Sequence, residues 1–483
     1  MSKVPGLIQE RLGKIAELRR KGFSPYGSRF KDRTPAQVLH DSFTPDREVK
    51  IAGRLIAKRG HGKAMFADLR DESAKIQLYI KTDIVGEELF GLFAHIDIGD
   101  FLGLEGRLFK SKMGEITVEV HTFQILTKSL RPLPEKWHGL KDVEVRYRQR
   151  YLDLIANDEV RKVFRVRSKI ISEIRKILIE KGFLEVETPM MQAIPGGARA
   201  EPFKTHHNAL DMDLYLRVAP ELYLKRLLIG GFEKVFELNR NFRNEGISVR
   251  HNPEFTMIEI YEAYADYTDM MELTEELFTL VAEKIHHSLK LPYGERTLDL
   301  TRPWKRIRFY EELNKRSGLD WQAGDIRKLA KQAKLEIDPA LPEVDILNEA
   351  FGHFVEGELF APTFVLDYPA VTTPLAKRHE HNEKLVYRFE LFAAGMELAN
   401  AFSELNDPVE QRSRMEAQRL DENGKVLDED FLAAMEYGMP PAGGLGIGID
   451  RLVMILTNQQ SIRDVILFPH MRPQQESQEP SEQ

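Results

Sequence analysis

The sequence predicts an α+β protein in which a small five-stranded β-barrel precedes a larger body built on an antiparallel β-sheet flanked by helices. Three observations predict it. Five short strand-like runs separated by turn residues fall between Glu48 and Lys128, a pattern that suits a small closed barrel. Beyond Asn157, helical and strand-like stretches alternate, yet no GxGxxG opens a helix after a strand, so an antiparallel α+β body fits better than a dinucleotide-binding domain. The chain has 483 residues, more than the roughly 100–200 of an ordinary domain, so two or three folded units are expected.

Taken in order, Leu7 to Lys21 sets Leu7, Ile8, Leu12, Ile15 and Leu18 near helical spacing with basic residues between them, and Gly22 supplies the stop. This is a short basic amphipathic helix within an N-terminal extension, 1–47. The five strands run Val49 to Ala57, Ala64 to Arg70, Ile76 to Ile80, Phe101 to Phe109 and Ile116 to Leu126. An OB fold leads the candidates for 48–130, because its barrel leaves one face and two loops free for an oligonucleotide. An SH3-like barrel and an isolated meander are the alternatives. Residues 131–155 mix proline with dense charge and read as a linker that also packs on a neighbour. Asn157 and Asp158 then cap a long helix whose apolar positions include Val160, Val163, Ile170, Ile174, Ile177 and Leu178, ending before Gly182. The body, 156–472, holds β-rich runs near Val235 to Phe242, Glu254 to Tyr261, Lys384 to Phe392 and Gly444 to Ile449. Within it, Leu300 to Phe360 reads as a helical insertion, and the polar tail 473–483 is expected to be disordered.

Composition narrows the function classes. No apolar run approaches the roughly 20 residues of a membrane span. Val4 to Ile8 is followed at once by charged residues, unlike a signal peptide's apolar core, so the expected address is the cytoplasm. The chain has no cysteine, which excludes disulfides and thiolate zinc sites, and its 14 histidines form no HxxxH pair flanked by a general-base glutamate. A metal would then be a hard ion held by carboxylates. The net charge of −7 is uneven: residues 1–150 carry 28 Lys+Arg against 20 Asp+Glu, or +8, leaving −15 for the remainder. A basic front joined to an acidic body suits a polyanion-binding module attached to something else.

Four segments carry chemistry. GFLEVETPMM, Gly182 to Met191, ends a helix at glycine and runs a short strand into Thr188-Pro189. FRNEGISVRHNPEFTMIEIYEAY, Phe242 to Tyr264, reads as strand, polar loop, strand. Its Arg243 offers planar bidentate donors to a phosphate that gains charge as an ester bond breaks. GGLGIGIDRLVMIL, Gly443 to Leu456, packs four glycines into six positions before an apolar helix, so that backbone can approach a ligand closely. In YRFELFAAGMELANAFSELND, Tyr387 to Asp407, a two-residue turn at Ala393-Ala394 sets Glu390 and Glu397 directly opposite on one hairpin face. Two such carboxylates repel unless a cation lies between them, and magnesium is the natural occupant. Glu221, Glu259 and Glu404 supply further carboxylates, as a pocket for a cationic side chain needs.

Together the first three segments resemble the signature motifs of class II aminoacyl-tRNA synthetases, in particular the bacterial lysine-activating members, and the resemblance covers nearly the whole chain. It implies activation of L-lysine with ATP to lysyl-adenylate and pyrophosphate, followed by transfer to the 3′-terminal adenosine of tRNA(Lys). It implies that Arg243 meets the ATP α-phosphate and the lysine carboxylate, and that Arg451 covers the adenine opposite Phe255 and reaches toward the γ-phosphate. Both arginines are then catalytic, Glu245, His251 and Asn252 complete the ATP contacts, and Glu390 and Glu397 hold Mg2+. For lysine it implies Gly197 and Glu221 at the α-ammonium and Glu259 and Tyr261 at the side-chain amine. Asn400, Phe402, Glu404 and Gly446 follow, with Glu404 at the ε-ammonium and Phe402 along the methylene stem. Arg59, Phe66, Gln77 and Glu115 of the barrel correspond to contacts with a uridine-rich anticodon, and the first motif to a homodimer interface. One departure is Glu201, where the family usually has arginine. The rival readings are an aspartyl- or asparaginyl-tRNA synthetase, a lysyltransferase acting on protein, and a catalytically silent tRNA-binding protein.

Overall fold

The computed structural model describes residues 4–60, 62–134, 140–338, 340–421 and 427–473, so the predicted disordered tail lies outside the described residues from 474 onward. The chain divides into two units, Met1–Lys141 and Asp142–Gln483. No described helix is long and apolar enough to cross a membrane.

The first unit is a closed barrel of β1 (Glu48–Arg59), β2 (Ala64–Arg70), β3 (Lys75–Lys81), β4 (Phe101–Lys110) and β5 (Ile116–Thr127), in the order β1-β2-β3-β5-β4 with β4 returning to β1. Only β3 and β5 pair in parallel. Alternation drives closure: Val49, Ile51 and Leu55 of β1 point inward and pack with Leu69, Leu78, Leu104 and Val118. At Gly106, beside a bulge between β4 and β5, a Cβ would lie 2.0 Å from the Glu119 carbonyl oxygen, so only glycine lets the backbones approach there. Helix α1 (Val4–Arg20) packs Ile15 and Leu18 inward, and Arg11 donates to the Ser129 carbonyl at 2.8 Å. Helix α2 (Thr82–Ala94), which the sequence reading did not anticipate, joins β3 to β4 and buries Leu92 and Phe93. The barrel order decides for the OB fold over a meander.

The second unit begins inside the segment read as a linker. Residues predicted to continue the linker fold instead as two short helices, Val143–Arg148 and Arg150–Ala156. Arg150 is fully buried: it pairs with Asp153 at 2.7 Å and donates to the carbonyls of Arg463, Ile466 and Leu467. A charged side chain tolerates that burial when its donors are met. Helix α3 (Asp158–Glu180) follows as read, except that Asn157 does not cap it with its side chain. Its amide donates to Asp153 instead, at 2.6 Å.

The central sheet comprises β6 (Leu184–Glu185), β7 (Lys234–Phe242), β8 (Glu254–Ala263), β9 (Lys305–Arg308), β10 (Thr363–Pro369), β11 (Asn382–Ala393), β12 (Met396–Ser403) and β13 (Ala442–Gly448). Their order is β9-β10-β11-β12-β13-β8-β7-β6, with Arg378–His379 pairing beside β11. The six middle strands are antiparallel, as predicted, while the edge pairings β9/β10 and β7/β6 are parallel. One face packs Phe236, Ile258, Ile260 and Leu445 against α3, α5 (Tyr267–His286) and α6 (Ile449–Leu456). The alternate positions Val235 and Tyr261 meet α4 (Glu221–Ile229) on the other face. The segment read as a helical insertion is largely that, with helices Phe309–Ser317, Ile326–Gln332 and Glu343–Phe354 around Trp321, Leu347 and Phe351. Its strand β9 escaped the reading because four residues with a single half-buried isoleucine carry no period.

Candidate active site

The site lies on the second face of the sheet, and strand register builds it. Glu259 of β8, Gly446 of β13 and Asn400 of β12 form one cross-strand row, and Tyr261, Gly444 and Phe402 form the next. In each row the glycine is the middle member, so a floor without side chains lies between two walls. The four glycines of this strand all have ordinary strand dihedrals, so their role is space. A Cβ on Gly444 would lie 1.9 Å from Glu404 Oε1, and one on Gly446 would lie 2.4 Å from the Met257 methyl.

Two cavities meet here. One, of 540 Å³, is lined by Gly197, Glu221, Glu259, Tyr261, Asn400 and Phe402 among others, and the second, of 240 Å³, by Glu245, His251, Asn252, Phe255, Glu397 and Arg451. Arg243, Met257, Asn400 and Gly446 line both. Arg243 therefore stands at the junction, just past the end of β7, with its guanidinium 5.2 Å from the Phe255 ring centroid. Burial lowers its pKa against the raising effect of Glu245, Glu397 and Glu259, and its buried Nε has no hydrogen-bond partner. A guanidinium stays charged in such a place, so Arg243 keeps a buried donor that the protein itself leaves unpaired.

In the smaller cavity, Arg451 Nη1 donates to the Glu397 carbonyl at 2.7 Å and lies 3.3 Å from its carboxylate, while Nη2 is 3.0 Å from His251 Nε2. Partial burial and the Arg451 charge hold His251 below its usual pKa. Asn252 lines the cavity but spends its amide within the protein: Nδ2 donates to the Glu254 carbonyl at 2.6 Å, and Oδ1 accepts from the His470 N–H at 3.2 Å. It holds the loop.

The expected hairpin register for the metal pair is corrected. The turn falls at Ala394-Gly395, both with positive φ (52° and 68°), which glycine favours and the Ala393-Ala394 placement overlooked. Ala393 faces Met396, and a bulge between Leu391 and Phe392 pairs Glu397 with Phe392 and Glu390 with Asn400. Glu390 and Glu397 are therefore not directly opposite. They still feel each other: burial, with a further push from Glu397, raises Glu390 to about 7, while Arg388 at 2.5 Å and Tyr368 at 2.7 Å bind its carboxylate. Among the described residues no group of three or more His, Cys, Asp or Glu side chains is arranged to hold a metal.

In the larger cavity, Tyr261 donates to Glu259 Oε2 at 3.1 Å. Burial raises Glu259 to about 8, so its carboxyl is largely protonated at pH 7, and burial likewise pushes the Tyr261 phenol well up. Gly197, at φ +88°, lets the chain pass Glu221, whose Cβ would be 3.1 Å from an added methyl. Glu404 is buried behind Gly444. Two residues escaped the sequence reading. Lys225 Nζ lies 2.7 Å from Glu221 and 2.5 Å from Glu404, and Arg388 donates to Asn400 Oδ1 at 3.0 Å and contacts Thr372 and Thr373. The signal for Lys225 was its i,i+4 spacing from Glu221 on a helix. For Arg388 there was none. Glu201, the departure from the family pattern, is exposed and touches the Arg243 loop through its backbone carbonyl, 2.8 Å from the Asn244 nitrogen.

On the barrel, Arg59 pairs across β1 and β2 with Phe66, whose ring lies 5.0 Å from Tyr79, and Tyr79 lies 5.9 Å from Phe109. The half-buried Phe66 thus opens an aromatic strip whose other two members were not singled out in the sequence. Gln77 is buried and donates to Glu115 at 2.6 Å while accepting from Thr117 at 2.9 Å; Arg59 lies 3.5 Å from Asp68.

An antiparallel sheet with an arginine at the junction of a cavity holding buried carboxylates and an aromatic-lined cavity, carried with an OB-type barrel, has the features of an aminoacyl-tRNA synthetase of class II. The comparisons agree. Residues 142–472 match the family described as tRNA synthetases class II (D, K and N), and residues 49–126 match the OB-fold nucleic acid binding domain. The chain belongs to the class II tRNA synthetases of this D, K and N group. It is 58% identical to the lysine–tRNA ligase of Pelotomaculum thermopropionicum, covering 97% of this chain and 95% of that one. Similar relatives are the lysine–tRNA ligases of Carboxydothermus hydrogenoformans, at 56%, and Moorella thermoacetica, at 55%, each over 97% of this chain and 98% of the relative.

Proposed function

We propose that the chain is an ATP-dependent lysine–tRNA ligase of the cytoplasm. The observation that carries this reading is Arg243 standing where a pocket containing Glu221 and Glu259, with Glu404 behind its floor, meets a cavity bordered by Phe255 and Arg451. Glu221 and Glu404 offer buried carboxylates to a cationic side chain, whereas the side chain of aspartate or asparagine would bring them no counter-charge. The naming of the relatives supports the same choice.

In the first step the lysine carboxylate attacks the ATP α-phosphorus in line, forming lysyl-adenylate as pyrophosphate leaves. Arg243 stabilises the charge that grows on the phosphate oxygens, and Phe255 and Arg451 sandwich the adenine. Glu245, His251 and Asn252 shape the ATP loop, the last by holding it. Lysine lies with its α-ammonium at Glu221 and Gly197, its stem along Phe402, and its ε-ammonium toward Glu404, Glu259 and Tyr261; Asn400 and Gly446 form the adjoining floor. In the second step the hydroxyl of the 3′-terminal adenosine of tRNA(Lys) attacks the lysyl carbonyl and AMP leaves. Positioning and charge stabilisation carry both steps, and no protein nucleophile is needed.

Glu390 and Glu397 are the residues that would hold Mg2+. Carboxylate oxygens are the donors magnesium takes, and a cation would relieve the repulsion that helps raise Glu390. Bound there, it would neutralise phosphate charge. The barrel reads the anticodon with Phe66 as a stacking face, while Arg59, Gln77 and Glu115 supply polar groups. The chain acts as a homodimer through the first motif, where Leu184 and Met191 are exposed apolar side chains.

ATP–pyrophosphate exchange with each of the twenty amino acids, magnesium present and tRNA absent, tests the reading. Exchange with lysine alone supports it. Exchange with aspartate or asparagine overturns the pocket assignment, and silence with all twenty favours a tRNA-binding protein without catalysis.

A further inference from the structure

Among the described residues, Lys225 is the one cation that touches both Glu221 and Glu404, the carboxylates proposed for the two ends of lysine. It rises from α4, fully buried, with Nζ 2.7 Å from Glu221 Oε1 and 2.5 Å from Glu404 Oε2. The same ammonium lies 5.5 Å from the centroid of Phe402, the proposed wall for the substrate stem. Glu221 belongs to α4 and Glu404 follows β12, so no single element holds the two in register. Lys225 does, and Gly444 leaves the room: Glu404 Oε1 occupies the space where a β-carbon would stand. Neither oxygen of this buried carboxylate has a hydrogen-bond partner of good geometry; Oε2 is met by Lys225 as an ion pair, and Oε1 has no such counter-charge. A buried acceptor without a partner is costly unless something fills it.

We infer that Lys225 is the positioning residue of the amino-acid pocket, an internal ammonium that aligns Glu221 and Glu404 and cancels one of their two charges, so that the pocket takes one further cation. The inference rests on the reading of lysine as substrate. Two buried carboxylates within reach of one ammonium cannot both stay ionised without it, because burial and mutual repulsion favour their protonated forms. With Lys225 in place, one oxygen of Glu404 is left for the incoming ammonium. A protonated pair would have to release a proton before it could take that cation. The other titratable groups facing the cluster are Glu259 and Tyr261 from β8 and Arg388 from β11; Arg243, just past β7, and Arg217, which follows the strand Met212–Leu216, act on Glu259. None of them bridges the two carboxylates.

The test is the pH dependence of the lysine KM and of kcat in ATP–pyrophosphate exchange, measured for the full-length enzyme, Lys225→Met and Lys225→Arg. In all three, KM falls as pH rises through the carboxylate pKa values, since the cation binds the ionised form. Lys225→Met should raise the lysine KM about tenfold or more near pH 7, with a smaller change in kcat, and should shift the fall in KM upward by about one pH unit or more. Lys225→Arg keeps the charge and should keep the profile at its original position. A role in packing alone would lower stability or kcat without moving the profile. An unshifted profile in Lys225→Met overturns the inference, and so does a Lys225→Arg profile displaced as far as that of the methionine variant. If Lys225→Met fails to fold, Lys225→Gln, which also removes the charge, is measured in its place, and an unshifted profile there overturns the inference equally. Exchange by the unmodified enzyme with an amino acid other than lysine overturns the substrate reading itself, an outcome distinct from either variant result.

Discussion

Gly444→Ala adds one methyl group to the floor of the amino-acid pocket. The added carbon would lie 1.9 Å from Glu404 Oε1 and 2.7 Å from Tyr261 Cε1. Carbon–oxygen contacts ordinarily begin near 3.3 Å, so the Glu404 carboxylate has to retreat by about 1.4 Å. It cannot move freely, because Lys225 holds its other oxygen at 2.5 Å. The strand is fixed too: Gly444 pairs with Tyr261 on one side and Phe402 on the other. A displacement of about 1 Å at a positioning group costs up to about a hundredfold, equivalent to ~2.7 kcal/mol. The lysine KM is therefore expected to rise about ten- to a hundredfold, while the ATP KM changes by less than about threefold. Overpacking should also cost about 1–3 kcal/mol of stability, visible as a lower unfolding temperature. Steady-state ATP–pyrophosphate exchange separates the two effects. A Gly444→Ala enzyme with the unmodified lysine KM would refute the argument that this glycine makes room for Glu404.

Three other outcomes are expected. Arg243→Ala should slow adenylate formation by about 10²–10³-fold in single-turnover measurements with folding intact, and a normal rate would end its assigned role. Burial raises Glu259 from its ordinary 4.5 to about 8 in the folded protein, so its contribution to stability is fully present below pH 4.5 and is lost as pH rises toward 8. Glu259→Gln removes that dependence, and its unfolding temperature relative to the unmodified enzyme should rise from pH 5 to pH 8.5, by an amount equivalent to roughly 3–5 kcal/mol. A difference independent of pH would contradict the buried, protonated carboxyl. Phe66→Ala should raise the tRNA KM in aminoacylation by about tenfold or more and leave lysine-dependent exchange untouched, because the ring is assigned to stacking on a base; parallel losses in both assays would count against that role.

Much of this protein could be read locally. The five barrel strands alternate inward and outward residues within 80 positions, and the structure extends each by no more than two residues at either end. Arg243, His251 and Phe255 sit in and beside one loop, so their sequence spacing already implied their proximity. Helix α2 was harder, because Gly86 at φ 82° interrupts its helical conformation and its apolar residues show no clean face. The two helices around Arg150 were hard to read for a different reason. Charge normally marks solvent, and nothing nearby in sequence announces the three distant carbonyls that satisfy its guanidinium.

Sequence alone determined the order of units, the strands and long helices, the α+β class, and which residue types were available for phosphate, cation and base. Periodicity and turn chemistry act over a few residues, so they survive in the linear text. The tertiary structure decided register and pairing. It moved the hairpin turn to Ala394-Gly395 and offset Glu390 from Glu397, set Glu259 and Tyr261 across two glycines from Asn400 and Phe402, and brought Lys225 between Glu221 and Glu404. Those contacts join segments up to about 200 residues apart, and their geometry depends on how strands align and what burial leaves unpaired. No local pattern in the sequence encodes either.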